Sequence, residues 1–103
     1  MRKYTKLFGN IFEERRGHGL RHKQIFNIAK ESNNKIDQHT TVNYCNLFLS
    51  EGKIIKIKEK PNTQRKFIYG IPNIREDETR YFIIDGEEFE ITDDLVVGVD
   101  NVQ

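Results

Sequence analysis

The sequence has a single cysteine, Cys45, and no tryptophan among its 103 residues. One cysteine excludes an intrachain disulfide, and its apolar helical surroundings favour a small buried side chain over a catalytic thiol. No stretch approaches 18 apolar residues, and the basic start leads into an apolar run broken at Gly9 and Asn10, too short for a secretory signal. We therefore expect a cytoplasmic protein without a membrane segment.

Catalytic and metal-binding patterns are also scarce. The chain contains no glycine-rich phosphate loop and no nucleophile motif. His18 and His22 have the four-residue spacing of a metal pair, but Gly19 lies between them and no further ligand completes a site. The carboxylates within residues 87–90 form a charge run rather than a paired-acid site. We expect no enzymatic activity, no metal and no cofactor.

Basic residues are rare in the last third of the chain, and acidic residues are rare before it. Residues 1–66 contain 15 Lys and Arg against 6 Asp and Glu, a balance of +9. Residues 67–103 contain 2 Lys and Arg against 10 Asp and Glu, a balance of −8. The two segments together give the overall charge of +1. A basic segment of this size predicts a polyanionic partner, most simply nucleic acid.

Apolar spacing predicts three helices. The first carries one apolar stripe and ends near Gly17, the second runs from about Leu20 to Glu31, and the third from Asp37 or Thr40 to Ser50. Gly52 follows the third helix as its stop signal. The expected inward residues are Tyr4, Leu7, Phe8, Ile11 and Phe12, then Leu20, Ile25, Phe26, Ile28 and Ala29, then Val42, Cys45, Phe48 and Leu49.

Two β-hairpins are predicted after the helices. In the first, Ile55 and Ile57 alternate with Lys56 and Lys58, and a basic loop, KPNTQR, precedes the strand KFIYGI. In the first strand we expect Ile55 and Ile57 on one face and Lys56 and Lys58 on the other. In the second strand we expect Phe67, Tyr69 and Ile71 to share a face.

The second hairpin is predicted from the segment RYFII-DG-EEFEI. Asp85-Gly86 is a strong signal for a type I′ turn, and it places Phe82, Ile84, Phe89 and Ile91 on one face. Pro72 and the segment REDE are expected to form a linker between the hairpins. The tail TDDLVVGVDNVQ fits either a short strand or a helical turn.

The segment IFNIAKESNNKIDQHTTVNYCNLFLSEGKIIKI resembles the winged helix-turn-helix superfamily of DNA-binding domains. Ala29 and Asn33 resemble the Ala-x-x-x-Gly of the helix-turn, Asn being a residue that tolerates the left-handed conformation. Ile36 resembles the apolar residue that plugs the turn. The resemblance implies an α+β fold, a winged helix-turn-helix with three helices and a β-hairpin wing, over residues 1–72. Residues 73–103 would add an acidic C-terminal hairpin.

This resemblance implies a sequence-specific regulator of transcription that binds double-stranded DNA. A recognition helix at about 37–50 would enter the major groove, and a basic wing at about 53–71 would contact the backbone or minor groove. The expected recognition residues are Gln38, His39, Thr40, Thr41, Asn43 and Tyr44. The expected backbone-binding residues are Lys56, Lys58, Lys60, Arg65, Lys66, Arg21 and Lys23.

The acidic third leaves several interpretations open. Its apolar face, or that of the first helix, would extend the core or form the interface of a homodimer, which we favour because two half-sites multiply affinity. The acidic surface would alternatively shield the basic surface or contact a basic protein partner. Two further hypotheses are a winged-helix adaptor in replication or transcription machinery, and a plasmid- or virus-encoded replication or counter-defence protein.

Overall fold

A computed structural model describes residues 2–60 and 66–98. The chain has an α+β fold of three helices and two small antiparallel sheets. The helices are α1 (Thr5–Glu14), α2 (His22–Ser32) and α3 (Gln38–Ser50). The strands are β1 (Leu20–Arg21), β2 (Ile55–Lys58), β3 (Phe67–Gly70), β4 (Asn73–Ile74), β5 (Arg80–Ile84) and β6 (Glu87–Ile91), and a 3₁₀ turn spans Asp93–Leu95.

The apolar stripe of α1 packs inside the chain. Phe8, Ile11 and Phe12 are buried, and Tyr4 and Leu7 pack against the same cluster. The prediction of a first amphipathic helix is therefore confirmed. Most of the stripe is therefore covered within the single chain.

The second helix begins two residues later than predicted. Leu20 and Arg21 form the short strand β1, which pairs with Tyr69 and Ile68 of β3. Burial of Ile25 and Ala29 on the inner face of α2 follows the predicted pattern. The start of α2 is thereby fixed to the ribbon formed by β2 and β3.

The turn between α2 and α3 differs from the expectation for Asn33. Asn33 has φ −153° and ψ 108°, which is extended rather than left-handed backbone. Its side-chain Oδ1 instead accepts a hydrogen bond from the Lys35 N–H at 3.0 Å, a side-chain turn that replaces glycine's conformational freedom. Ile36 is buried in the helical core, as expected of the residue that plugs the turn.

The ends of α3 follow from local chemistry. Of the two predicted N-caps, Asp37 is the one used: its Oδ1 accepts a hydrogen bond from the Thr40 N–H at 2.8 Å. Gly52, with φ +73°, ends the helix, and the Lys53 N–H donates to the Phe48 carbonyl at 2.9 Å.

The first sheet has the strand order β1–β3–β2. In the antiparallel pair of β2 and β3, Ile57 lies opposite Ile68, and Lys56 lies opposite Tyr69. Directly opposed residues share a face of a sheet. Tyr69 belongs to the buried cluster of the helices, whereas Ile57 and Ile68 belong to a second cluster. The sheet therefore separates two cores.

The second sheet has the order β4–β5–β6 and contains one strand that the sequence did not predict. The expected linker includes β4, and residues 75–79 close a tight turn in which the Arg75 N–H donates to the Thr79 carbonyl at 2.8 Å. The hairpin β5–β6 forms as predicted, with Asp85 at φ +52° and Gly86 at φ +85°, the two positive values of a type I′ turn.

The apolar face of this second hairpin packs on the first sheet. Phe82, Ile84 and Ile91 are buried in one cluster with Ile57 and Ile68. Of the two expectations for that face, the extension of the core is the one observed. Within the single chain this face is covered by the first sheet.

Of the two alternatives predicted for the tail, the described residues form the helical turn, at Asp93–Leu95, and only an isolated bridge in place of a strand. After the 3₁₀ turn, Val96 bridges to Ile57, and the Val97 N–H donates to the Lys56 carbonyl at 2.8 Å. The outer edge of β2 is thereby covered at this point.

Candidate nucleic-acid interface

The outer face of α3 is polar and carries no formal charge. Helix α3 contains no Lys, Arg, Asp or Glu. Gln38, His39 and Asn43, three of the predicted recognition residues, are exposed on it, and Thr40 is half-buried. Two exposed residues that were not predicted, Asn46 and Ser50, continue the same stripe at helical spacing from His39 and Asn43.

Two predicted recognition residues point into the protein and are corrected here. Thr41 is fully buried, and its hydroxyl donates a hydrogen bond to the Asp37 carbonyl at 3.1 Å. Tyr44 is only 6% exposed; its ring stacks on Phe8 at a centroid distance of 4.8 Å. The Tyr44 hydroxyl oxygen also accepts a hydrogen bond from the Tyr4 N–H at 2.6 Å. Neither side chain is available to DNA.

The prediction for Val42 was wrong in the opposite sense. The sequence interpretation placed Val42 in the core, but it is 40% exposed. It belongs to the outer part of α3 together with Asn43 and Asn46. Its position was missed because hydropathy alone assigns a valine to the inside and a threonine to the outside.

The lysines of β2 lie on the side of the sheet that faces the helices. Lys56 and Lys58 oppose Tyr69 and Phe67, and the Lys56 Nζ lies 4.2 Å from the centroid of the Phe67 ring. Burial raises the pKa of the Cys45 thiol in α3 to about 12, and the charge of Lys56 acts in the opposite direction. Lys56 therefore shares the face of Tyr69, which packs in the helical core, and Lys58 lies further along the same face.

A cleft of about 650 Å³ lies between the first turn of α2 and the outer end of the ribbon. Lys60 and Lys66, at the outer end of the ribbon, and Lys23, in the first turn of α2, are exposed. The cleft is lined by Arg21, His22, Lys23, Glu59, Lys60, Lys66, Phe67 and Tyr69. Four of the seven predicted backbone-binding residues thus line one depression. Arg65 lies outside the described residues.

Arg21, however, is already engaged by two carboxylates. Its guanidinium donates to Glu59 through Nε at 3.3 Å and Nη2 at 3.2 Å, and to Asp85 through Nη1 at 3.2 Å and Nη2 at 3.0 Å. Hydrogen bonds to Asp85 first, and then to Glu59, raise the pKa of Arg21 above its ordinary value. Arg21 joins the helical part to the acidic hairpin, so it is not a free cation of the cleft.

The acidic hairpin and α3 lie on opposite sides of the first sheet. The hairpin packs on the face of Ile57 and Ile68, whereas α3 packs in the cluster that contains Tyr69. The exposed carboxylates Glu87, Glu88 and Glu90 are carried by that hairpin. The basic and acidic segments of the sequence thus lie on different sides of the first sheet.

Comparisons with protein-family models, with curated proteins and with solved structures find no match to this chain. Within the described ranges, no helix combines the length and apolar character that crossing a membrane would require.

Proposed function

We propose that this protein is a winged helix-turn-helix regulator of transcription that binds double-stranded DNA. In this proposal α3 enters the major groove, and the ribbon of β2 and β3 contacts the sugar-phosphate backbone or the adjacent minor groove. The observation that carries the proposal is that Lys56 and Lys58 lie on the face of the sheet that packs toward the helices, while α3 exposes a polar stripe on its outer side.

The order of elements supports the proposal. Three helices precede a two-stranded antiparallel ribbon, which is the order that the sequence resemblance implies. Burial of Ile36 in the same cluster as residues of α2 and α3 also supports it, because an apolar residue at this position is what the resemblance implies. A major groove about 12 Å wide accepts one helix of this kind.

The cleft beside the ribbon supplies cations for phosphates. Lys23, Lys60 and Lys66 are exposed around it, and Lys23 lies in the first turn of α2, where backbone N–H groups and the helix dipole also favour an anion. Phosphate contacts of this type position a protein on DNA without reading its sequence. We therefore assign these lysines to phosphate binding and the α3 face to recognition of the bases.

Direct binding measurements test the proposal. Selection from a random duplex pool, followed by fluorescence anisotropy at two salt concentrations, is expected to yield a preferred sequence. Its affinity should fall by about 0.9 log units per log unit of salt for each neutralised phosphate. Equal binding to the selected and a scrambled duplex, or no binding at low salt, would overturn the proposal. The homodimer is a separate part of the proposal, which light scattering with and without the selected duplex tests.

An adaptor that contacts a basic protein partner is the second candidate. The acidic hairpin, on the side of the sheet away from α3, favours it, because the carboxylates of Glu87 and Glu90 are exposed there. Under this alternative a pull-down would recover a partner whose binding is lost in the double variant Glu87→Gln, Glu90→Gln. Binding of DNA by α3 would then show no preference over random duplex.

A further inference from the structure

We infer that the α3 face selects A·T base pairs, with Val42 against a thymine methyl group and Asn43 or Asn46 paired to an adjacent adenine. This inference rests on the proposed DNA-binding function and deepens it by naming the base pairs. It starts from the exposed stripe of α3, which consists of Gln38, His39, Val42, Asn43, Asn46 and Ser50.

The absence of charge on α3 disfavours contacts to G·C pairs. Guanine presents two acceptors in the major groove, which Arg and Lys satisfy best, and cytosine presents an amino donor suited to Asp and Glu. Helix α3 has none of these four residue types. An Asn side chain can instead donate to adenine N7 and accept from its amino group.

Val42 gives the stripe an apolar centre. It is exposed by 40% and is followed at once by Asn43, with Asn46 one turn later. Thymine alone presents a methyl group in the major groove, and an apolar side chain is its natural contact. A valine that is exposed within a polar stripe therefore matches thymine better than any other base.

The length of the stripe fits a short base-pair run. From His39 to Asn46 the helix rises by about 10 Å. Successive base pairs are about 3.4 Å apart. The stripe therefore spans roughly three base pairs, enough for one thymine contact at its centre and one adenine contact beside it.

Replacing thymine by deoxyuridine tests the contact to the methyl group without changing the protein. Each thymine of the selected duplex is replaced in turn, which removes only the C5 methyl. We expect one replacement to weaken binding of the wild-type protein by about three- to five-fold. In Val42→Ala the same replacement should change binding by much less. Ile74→Ala, which truncates an exposed apolar residue of β4, is the matched control and should retain the full effect.

The adenine contact is tested by a separate measurement of sequence preference. Asn43→Ala or Asn46→Ala should reduce discrimination against a changed A·T pair by about ten-fold, with little change in affinity for random duplex. Selection of G·C pairs at the centre of the site, or no effect of deoxyuridine at any position, would overturn the inference and leave the proposed function standing. Failure to bind any duplex would instead overturn the proposed function.

Discussion

Arg21 and Asp85 are joined by two hydrogen bonds, of 3.2 and 3.0 Å, across 64 positions of the chain. Glu59 binds the same guanidinium from the end of β2. The three side chains connect the start of α2, the ribbon and the turn of the acidic hairpin. At this point the basic cleft meets the acidic surface.

Release of Arg21 is expected to strengthen binding to DNA. Asp85→Asn keeps the shape of the side chain, removes one negative charge beside the cleft, and leaves the guanidinium partly free for a phosphate. We expect tighter binding to every duplex by a few-fold, and a salt dependence steeper by up to about 0.9 if Arg21 gains a phosphate contact. Anisotropy titrations over a salt series provide the measurement.

The control for that experiment is Glu76→Gln. It makes the same change of charge in the turn between β4 and β5, at the other end of β5 from Asp85. Stability should change little in Asp85→Asn, because Asp85 is largely exposed and surface pairs contribute only about 0–1 kcal/mol. An equal gain of affinity in both variants would mean that overall charge, rather than Arg21, is responsible.

Removal of the cleft lysines is expected to weaken binding to all sequences alike. Lys60→Ala and Lys66→Ala should each lower the salt dependence by about 0.9 for each lost phosphate contact, with the sequence preference unchanged. Lys30→Ala is the control, because it removes the same charge at the end of α2 that is opposite to the cleft. If Lys30→Ala weakens binding as much as the other two, the cleft has no special part in binding.

Tyr44 is expected to matter for stability and not for recognition. Tyr44→Phe keeps the ring against Phe8 but removes the hydroxyl that accepts the Tyr4 N–H. We expect a loss of about 0.5–1.5 kcal/mol in the free energy of unfolding, measured by urea titration, and an unchanged sequence preference. A changed preference at constant stability would show that Tyr44 reaches the DNA after all.

The acidic hairpin is expected to unfold together with the helices. Phe82→Ala removes a fully buried ring from the cluster shared with Ile57 and Ile68, and it should cost about 3–5 kcal/mol. Far-ultraviolet circular dichroism and tyrosine fluorescence should report one common urea transition, shifted to a lower midpoint. The half-buried Phe89 offers a comparison, since Phe89→Ala should cost less. A separate early transition for the hairpin would contradict this prediction.

Alkaline pH is expected to destabilise the fold through Cys45. Burial raises the pKa of the thiol from 9.0 to about 12, so the folded state holds this proton more tightly than the unfolded state. The resulting stability is complete below the unfolded pKa and is lost as the pH rises toward about 12, at up to about 1.4 kcal/mol per pH unit. Urea titrations at pH 8, 9 and 10 measure this slope.

Cys45→Ala should flatten that slope between pH 9 and 10, because Tyr69 contributes its own loss only at higher pH, from 10.0. The native thiol should also react with iodoacetamide at pH 8 much more slowly than the unfolded chain, because burial suppresses its thiolate form. Rapid reaction under native conditions would show that Cys45 is not enclosed as described.

Local sequence signals predicted those parts of the fold that depend on local chemistry. Asp85-Gly86 and Gly52 each adopt the positive φ that their turn requires. Ile36 has no polar side-chain atom that would need a hydrogen bond, and it is buried. The strand β1 was missed because two residues carry no periodicity. Its pairing with Tyr69 depends on a partner 49 positions away.

The orientation of α3 was predicted less well, for a physical reason. Thr41 is buried because its hydroxyl donates to a backbone carbonyl, which removes most of the cost of burying a polar group. Tyr44 turns inward because Phe8 of α1 offers its ring a stacking surface. Val42 is left outside as a result. A hydropathy pattern contains neither the hydrogen bond nor the neighbouring ring.

The cover that Val96 and Val97 place over β2 also limits how this chain can be shortened. A fragment that ended at Leu95 would keep every helix but would lose the bridge to Ile57 and the hydrogen bond to the Lys56 carbonyl, which would expose the backbone edge of β2 at that point. Unprotected edges of this kind recruit strands from other molecules. Trimmed versions of the protein would therefore be prone to self-association, and a fusion partner attached at that end needs a spacer placed after Val97.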